Sequence, residues 1–462
     1  MAKDDSKLHI AMFPWLALGH MNPFLELAKL IAQKGHMVSF ISTPRNIDRL
    51  PKLPPHLCSL ISFVKLPLPY LENLPQDAEA TTDLPVEHIW YLKKAYDLLQ
   101  EPLSSFLQSC VPDCVLYDFA AYWVPCIARK LNIPSVYFSI FTASVNCYVS
   151  PASGDEDYRR EVEDYTVTPK WVPFPSTVAY RFFEVSKIFS GITGNESDIS
   201  DFYRFREAIR RCELIAVRSC PEIEQEWLEL LEQLHQKPVF PVSVLPPSTS
   251  DTDDTSWPPI KDWLDKRDKG SVVYIAFGSE AKPSQQELDA IAMGLELSEM
   301  AFFWVLRKRR GLVDAELVEL PQGFEERTKG RGVVCTNWAP QLKILAHDSI
   351  GGFFTHGGWS SVVEALQFSK PLIILTCFAD QGINAKLFQE KMIGYVIPRN
   401  EEDGSFTSNS VAESLTMVVV EEAGKVYRDK AMEMRGLLED KSRQDGYIDK
   451  FLCYLKLLKN GN

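Results

Sequence analysis

Short apolar runs alternate with stretches of helical period from the start of the chain. Residues 8–43 read as a strand LHIAMF, a loop PWLALGHMNP, a helix FLELAKLIAQKG with apolar residues at helical spacing, and a second strand MVSFIST. Strand, helix and strand in that order predict a βαβ unit and hence a parallel sheet. The grammar recurs at CVLYDF, followed by a helix through WVPCIARKL and a strand PSVYFS, so the first half predicts a doubly wound α/β domain. Between roughly 150 and 240 the pattern turns irregular and aromatic, with Trp171, Phe174, Tyr180, Phe182, Phe183, Phe202 and Tyr203. It reads as an insertion lining an acceptor, with core packing as the plain alternative for most of these residues taken singly.

The stretch PPSTSDTDDTSWPP, residues 246–259, mixes proline, serine and acidic residues without apolar periodicity and marks a linker. A second α/β pattern follows. Helix IKDWLDKRD, strand SVVYIAFGS and helix QQELDAIAMGLEL lead into strands FFWVLR, GVVCT, GGFFTH and PLIILT. The expected organisation is a first domain over 1–245, a linker over 246–259, a second domain over 260–445 and a C-terminal segment over 446–462. Two such halves predict a ligand cleft at the carboxyl ends of their sheets.

A chain of 462 residues, 45% of them apolar, exceeds what one core usually supports, which agrees with two domains. The formal charge of −13, from 49 Lys+Arg against 62 Asp+Glu, repels a phosphate backbone and an anionic membrane surface, so no nucleic-acid partner is expected. Ten scattered cysteines without CxxC spacing point to reduced thiols and a cytoplasmic setting. The N-terminus lacks the cationic and apolar succession of a signal peptide, and no apolar run reaches the ~20 residues of a membrane helix. In that setting the sequon Asn195-Glu196-Ser197 reads as an accident of composition.

Candidate chemistry concentrates in residues 338–381, WAPQLKILAHDSIGGFFTHGGWSSVVEALQFSKPLIILTCFADQ. Here a strand GGFFT runs into His356-Gly357-Gly358 and a helix WSSVVEALQF, so backbone N–H groups and the positive end of a helix dipole converge on one spot. Two glycines admit a phosphate close to the backbone, and Ser360, Ser361 and His356 can add donors. Ordinary helix capping by Ser360 or Ser361 is the competing reading.

A second constellation pairs His20, in GHMNP after the first strand, with Asp118, at the end of a later strand of the same sheet. An acceptor hydroxyl is a poor nucleophile until a base takes its proton. Neutral imidazole suits that task near pH 7, with a buried carboxylate to fix its tautomer. Read singly, each residue is as well explained as a structural histidine and an N-cap. Phe277-Gly278-Ser279, at the end of SVVYIA, is another strand-to-turn site of small residues.

Across its full span, the 338–381 segment resembles the signature of plant secondary product glycosyltransferases, and nearly the whole chain is similar to the plant family 1 UDP-glycosyltransferases. The resemblance implies a GT-B fold, two Rossmann-like domains facing a central cleft, with a C-terminal helix at about 446–460 crossing back to the first domain. It implies that Trp338 stacks on uracil, that the Ala339 backbone pairs with the base edge, and that Gln341 and Glu364 hold the ribose. His356, Gly358, Ser360, Ser361 and Ser279 would hold the diphosphate. Trp359, Asp380 and Gln381 would contact the sugar, with Thr142 near its outer oxygen, while His20 would be the base and Asp118 its partner. One departure stands out: Ser360 occupies a position where the family usually has asparagine, and a serine reaches less far. Segments LHIAMFPWLALGHMNPFLELAKLIAQKGH, STPRNIDRLP and DQGINAKL resemble the branch that extends a sugar already attached to a flavonoid, terpenoid or saponin.

The expected activity is therefore inverting transfer from a UDP-sugar, glucose or rhamnose, to a small-molecule hydroxyl, with the UDP-sugar as co-substrate and no metal or other cofactor. A monomer is the default. Asp251-Thr252-Asp253 imitates an acidic metal motif but lies in the linker, and the remaining histidines show no HxxxH spacing. A non-catalytic UDP-sugar-binding protein on the same scaffold remains a rival, which the presence of both His20 and Asp118 argues against. A nicotinamide oxidoreductase is disfavoured because no GxGxxG follows a strand.

Overall fold

The computed structural model describes residues 7–150, 157–194, 199–248, 255–278, 281, 283–306 and 319–460. The chain divides into two compact units. The first comprises Met1–Tyr158, Phe189–Leu245 and Lys441–Asn462, and the second Arg159–Ile188 and Pro246–Asp440.

In the first unit, strands β1 (His9–Phe13), β2 (Met37–Ser42), β3 (Ile61–Lys65), β4 (Cys114–Tyr117), β5 (Ser135–Ser139), β6 (Leu214–Val217) and β7 (Val239–Pro241) form one sheet in the order β3-β2-β1-β4-β5-β6-β7. Every pairing is parallel. Central strands β4, β5 and β6 are buried along their whole length, as expected where helices cover both faces of a parallel sheet. Strand order reverses between β1 and β4, and the register places Phe13 opposite Tyr117, so the two carboxyl ends lie side by side.

The second unit repeats the design with β8 (Val272–Ala276), β9 (Ala301–Val305), β10 (Gly332–Cys335), β11 (Ile350–Thr355), β12 (Leu372–Ile374) and β13 (Gly394–Val396), ordered β10-β9-β8-β11-β12-β13. The reversal falls between β8 and β11, where Ala276 lies opposite Thr355. Open α/β sheets bind ligands at this kind of switch point.

The first helix and residues 159–188 differ from the sequence reading, and the C-terminal helix differs only in starting at Lys441 rather than near 446. The helix expected to begin after Pro23 runs from Leu18 to Gln33 with Pro23 inside it. Burial of Met21, Phe24 and Leu25 outweighs the single hydrogen bond a proline removes, and His20 consequently sits in a helical first turn rather than a loop. Residues 159–188, expected with the first domain, belong to the second unit. The C-terminal helix spans Lys441–Asn460 and lies in the first unit. Its Ile448, Phe451, Leu452 and Leu455 join the core that contains Leu8, Ile10 and Phe24. Glu222 accepts from Arg443 and, at 2.9 Å, from the Tyr447 hydroxyl.

Candidate active site

At the switch point of the first sheet, Asp118 follows the last residue of β4 and is fully buried. Its Oδ1 accepts the Phe119 N–H at 2.7 Å, capping a short 3₁₀ turn. Oδ2 accepts the Trp15 N–H at 3.1 Å and lies 2.7 Å from His20 Nδ1. A carboxylate only accepts, so Nδ1 carries the proton and Nε2 is the ring nitrogen with a free lone pair, on a side chain 13% exposed. The capping role and the histidine-orienting role, alternatives in the sequence, are therefore filled at once by two oxygens of one side chain.

Aromatic rings wall this imidazole. Phe141 and Phe119 stand 5.3 and 5.6 Å from it, and Phe205 stacks on Phe119 at 4.6 Å. Buried Arg204 donates to the Ala120 carbonyl at 3.0 Å and pairs with Asp97 at 2.6 Å, which braces the turn after Asp118. None of these neighbours stood out in the sequence, although Phe119 adjoins Asp118 and was the one legible hint. Thr142 is fully buried, and its hydroxyl caps the helix Ala143–Val149 by accepting the Val145 N–H. Glu224 lies beside it, accepting the Ala143 and Ser144 N–H groups at 2.7 and 3.0 Å, and burial pushes its carboxyl up to about 7.

In the second unit, β11 ends in Thr355 and the helix Trp359–Gln367 begins three residues beyond His356, with Gly358 as its N-cap. No side chain caps that helix and no acidic residue occupies its first turn, so Ser360 and Ser361 are first-turn residues rather than caps. The positive end of the dipole therefore meets no carboxylate from its own first turn. The ring of His356 packs between two glycines. A Cβ at Gly358 would lie 2.5 Å from its Nε2, and one at Gly278, whose φ is +77°, 3.0 Å from its Cε1. Ser279 lies outside the described residues.

Trp338 is 58% exposed, unusual for an indole, while adjoining Ala339 is buried. Gln341 Nε2 donates to Glu364 Oε2 at 2.6 Å, and the Tyr274 hydroxyl donates to Gln341 Oε1 at 3.2 Å. Asp380 accepts from Asn384 at 2.7 Å. Trp359 and Gln381 are both largely enclosed. Trp359 is buried and stacks on Phe388 at 5.6 Å, and Gln381, 3% exposed, accepts the Cys377 and Phe378 N–H groups at 2.8 and 3.1 Å.

Burial pushes His356 down to about 4 from its usual 6.5, and His235 likewise. Both are neutral in the fold, whereas the unfolded chain takes up their protons below about 6.5. Their contribution to stability is therefore whole above about pH 6.5 and is lost as pH falls toward 4. Denaturant midpoints should drop between about pH 7 and pH 5, less steeply in His356→Gln than in the parent; equal slopes would contradict the assignment.

Among the described residues, no group of three or more His, Cys, Asp or Glu side chains is placed to hold a metal, and no helix is long and apolar enough to cross a membrane. None of the ten cysteines, all among the described residues, forms a disulfide.

Two family models match the chain, "UDP-glucoronosyl and UDP-glucosyl transferase" over residues 255–445 and "Glycosyltransferase, N-terminal domain" over residues 6–191. The chain is 55% identical to UDP-glycosyltransferase 91A1 of Arabidopsis thaliana, covering 98% of this chain and 97% of that protein. It is 42% identical to soyasaponin III rhamnosyltransferase of Glycine max, covering 98% and 96%. The crystal structure of UGT73P12 from Glycyrrhiza uralensis matches with a TM-score of 0.81 at 23% identity, covering 98% of this chain and 97% of that one, which shows the shared GT-B fold. With both halves matched by family models and a relative more than half identical from end to end, the chain belongs to the UDP-glycosyltransferase family and is a UDP-sugar-dependent glycosyltransferase.

Proposed function

We propose that this enzyme transfers glucose or rhamnose from UDP, with inversion, to a hydroxyl on the sugar of a plant flavonoid, terpenoid or saponin glycoside, favouring a 1→2 branch. The observation that carries the chemistry is the His20–Asp118 pair at 2.7 Å, with the carboxylate fully buried and the histidine side chain 13% exposed. In this reading Nε2 takes the acceptor hydroxyl proton as the oxygen bonds to the anomeric carbon. The bond from that carbon to the β-phosphate oxygen breaks, and UDP leaves with its charge facing the first turn of Trp359–Gln367 and His356.

Trp338 stacks on uracil with the Ala339 backbone at its edge, Gln341 and Glu364 hold the ribose, and Ser279, Ser360 and Ser361 complete the diphosphate set. Asp380 and Gln381 face the sugar, with Trp359 and Thr142 supporting from within the fold. Support for a glycoside acceptor comes from the sugar-extending segments of the sequence and from the Glycine max relative, whose name pairs a saponin with rhamnosyl transfer.

A mass-spectrometric screen tests the assignment, pairing UDP-glucose, UDP-rhamnose, UDP-galactose and UDP-xylose with aglycones and their monoglucosides. Gain of a hexose or deoxyhexose on glycosides alone is expected. Gain on aglycones alone would overturn the acceptor assignment, and no gain with any donor would favour a binding protein. Turnover should persist in a chelator, and reversible arrest would contradict metal-independent chemistry. Glu364→Ala should weaken UDP and every UDP-sugar together by about 1–3 kcal/mol, read by calorimetry, because it removes hydrogen bonds common to all of them.

A further inference from the structure

Residues 176–184 come from the first half of the sequence yet lie in the second unit, where they hold both ends of the helix Gln381–Glu390. At its start, Glu184 Oε1 accepts from Arg181 at 2.6 Å and from the Thr376 hydroxyl, and Arg181 also donates to the Thr376 oxygen at 2.6 Å. The Arg181 and Glu184 side chains are each only 5% exposed. A Cβ at Gly382 would meet Glu184 Oε2 at 2.4 Å and Tyr180 Cδ1 at 2.8 Å, so this carboxylate touches the backbone immediately after Gln381. At the helix end, Ser176 Oγ and Thr177 Oγ1 donate to Glu390 at 3.1 and 2.8 Å.

The loop between these anchors is tied into one body. Arg399 donates to the Thr376 carbonyl at 2.9 Å and lies 4.3 Å from the Phe183 ring, so Thr376 is held through backbone and side chain together. Gln381 in turn accepts the N–H groups of Cys377 and Phe378, the two residues that follow Thr376. Displacement of Thr376 is therefore passed to Gln381 and its neighbour Asp380. A buried ion pair contributes little net stability compared with apolar packing of the same volume, but it does impose direction.

We propose that Arg181 and Glu184, through Thr376 and the backbone of Gly382, are positioning residues that set the placement of Asp380 and Gln381 and thereby the choice of transferred sugar. The inference rests on the reading that Asp380 and Gln381 face the sugar. It adds a determinant of donor choice that lies more than 150 residues upstream of the segment it acts on, in a stretch expected to serve the acceptor.

The test measures UDP affinity by calorimetry, and kcat and KM with UDP-glucose, UDP-galactose and UDP-rhamnose, for the parent, Glu184→Gln, Thr376→Val, Glu390→Gln and Gln381→Ala. For Glu184→Gln and Thr376→Val, UDP affinity should stay within about three-fold while kcat/KM with the preferred donor falls about ten-fold and the ratio between donors shrinks about five-fold or more. Glu390→Gln, on an exposed side chain, should move the ratio in the same direction by less. A fall in UDP affinity and in all donors by one common factor would make the cluster merely structural and overturn the proposal. If Glu184→Gln does not fold, the donor ratios of Thr376→Val and Glu390→Gln decide in the same way. An unchanged ratio in Gln381→Ala overturns the sugar-facing reading and the brace with it. A collapsed ratio in Gln381→Ala alongside unchanged ratios in the other variants overturns the brace alone.

Discussion

His20→Ala is expected to lower kcat by about 10²–10⁴-fold while leaving UDP affinity within a few-fold, because general-base assistance is lost and no group holding the nucleotide is touched. The geometry sets this expectation: Nδ1 is committed to Asp118 at 2.7 Å, and Nε2 belongs to a side chain only 13% exposed, so bulk water is a poor substitute base. Asp118→Asn should fall in the same direction. An amide nitrogen in the place of Oδ2 can donate to Nδ1, which shifts the proton to Nε2 and removes the base, while the remaining oxygen keeps the Phe119 N–H and the Trp15 N–H loses its acceptor. The checks are single-turnover rates and calorimetric UDP binding on the same preparations. Near-parental turnover in His20→Ala would remove the base assignment, and a parallel loss of UDP binding would point to misfolding instead.

Gly358→Ala should be damaging for a change of one methyl group, because it acts directly on the ring of His356. The Gly358 φ of −65° suits any residue, so the cost is contact rather than backbone strain, with a Cβ 2.5 Å from His356 Nε2 and 3.3 Å from its Cδ2. The ring has little room to retreat, since Gly278 already packs against its Cε1 edge. Overpacking of this kind costs about 1–3 kcal/mol. UDP affinity should fall about ten-fold or more, because in the proposed reading the displaced imidazole and the helix start hold the same diphosphate. Combining the change with His356→Ala removes the clashing ring, so the double variant should recover much of the stability lost by Gly358→Ala. Additive losses in denaturant unfolding would show that the methyl group meets something other than His356.

Much of this site could be read along the chain because its residues sit at strand ends, where apolar runs break into chemistry. His20 and Asp118 follow β1 and β4, Gly278 and His356 follow β8 and β11, and each pair flanks a reversal of strand order. Apolar runs and helical spacing are local properties, so the parallel α/β character of both halves was legible from sequence, although strands β3, β6, β7 and β13 were not, and the box at 338–381 was singled out by its resemblance to a family signature. The assignment of residues 159–188 was not, because it depends on contacts such as Arg181 with Thr376 and Ser176 with Glu390, across 195 and 214 positions. The extension of the first helix back to Leu18 was hidden for a related reason: Pro23 signals a stop locally, and only the burial of Met21 and Phe24 overrides it. Likewise, the ring wall of Phe119, Phe141 and Phe205 arises from three separate segments brought together by packing. Sequence alone determined the two α/β patterns and the residue types available for chemistry, since period and side-chain chemistry are carried by neighbours in the chain. Tertiary structure alone decided which oxygen of Asp118 orients His20, which glycines admit the His356 ring and which distant segment grips the loop of Asp380 and Gln381, since hydrogen bonds and steric contacts act over a few ångströms regardless of sequence separation.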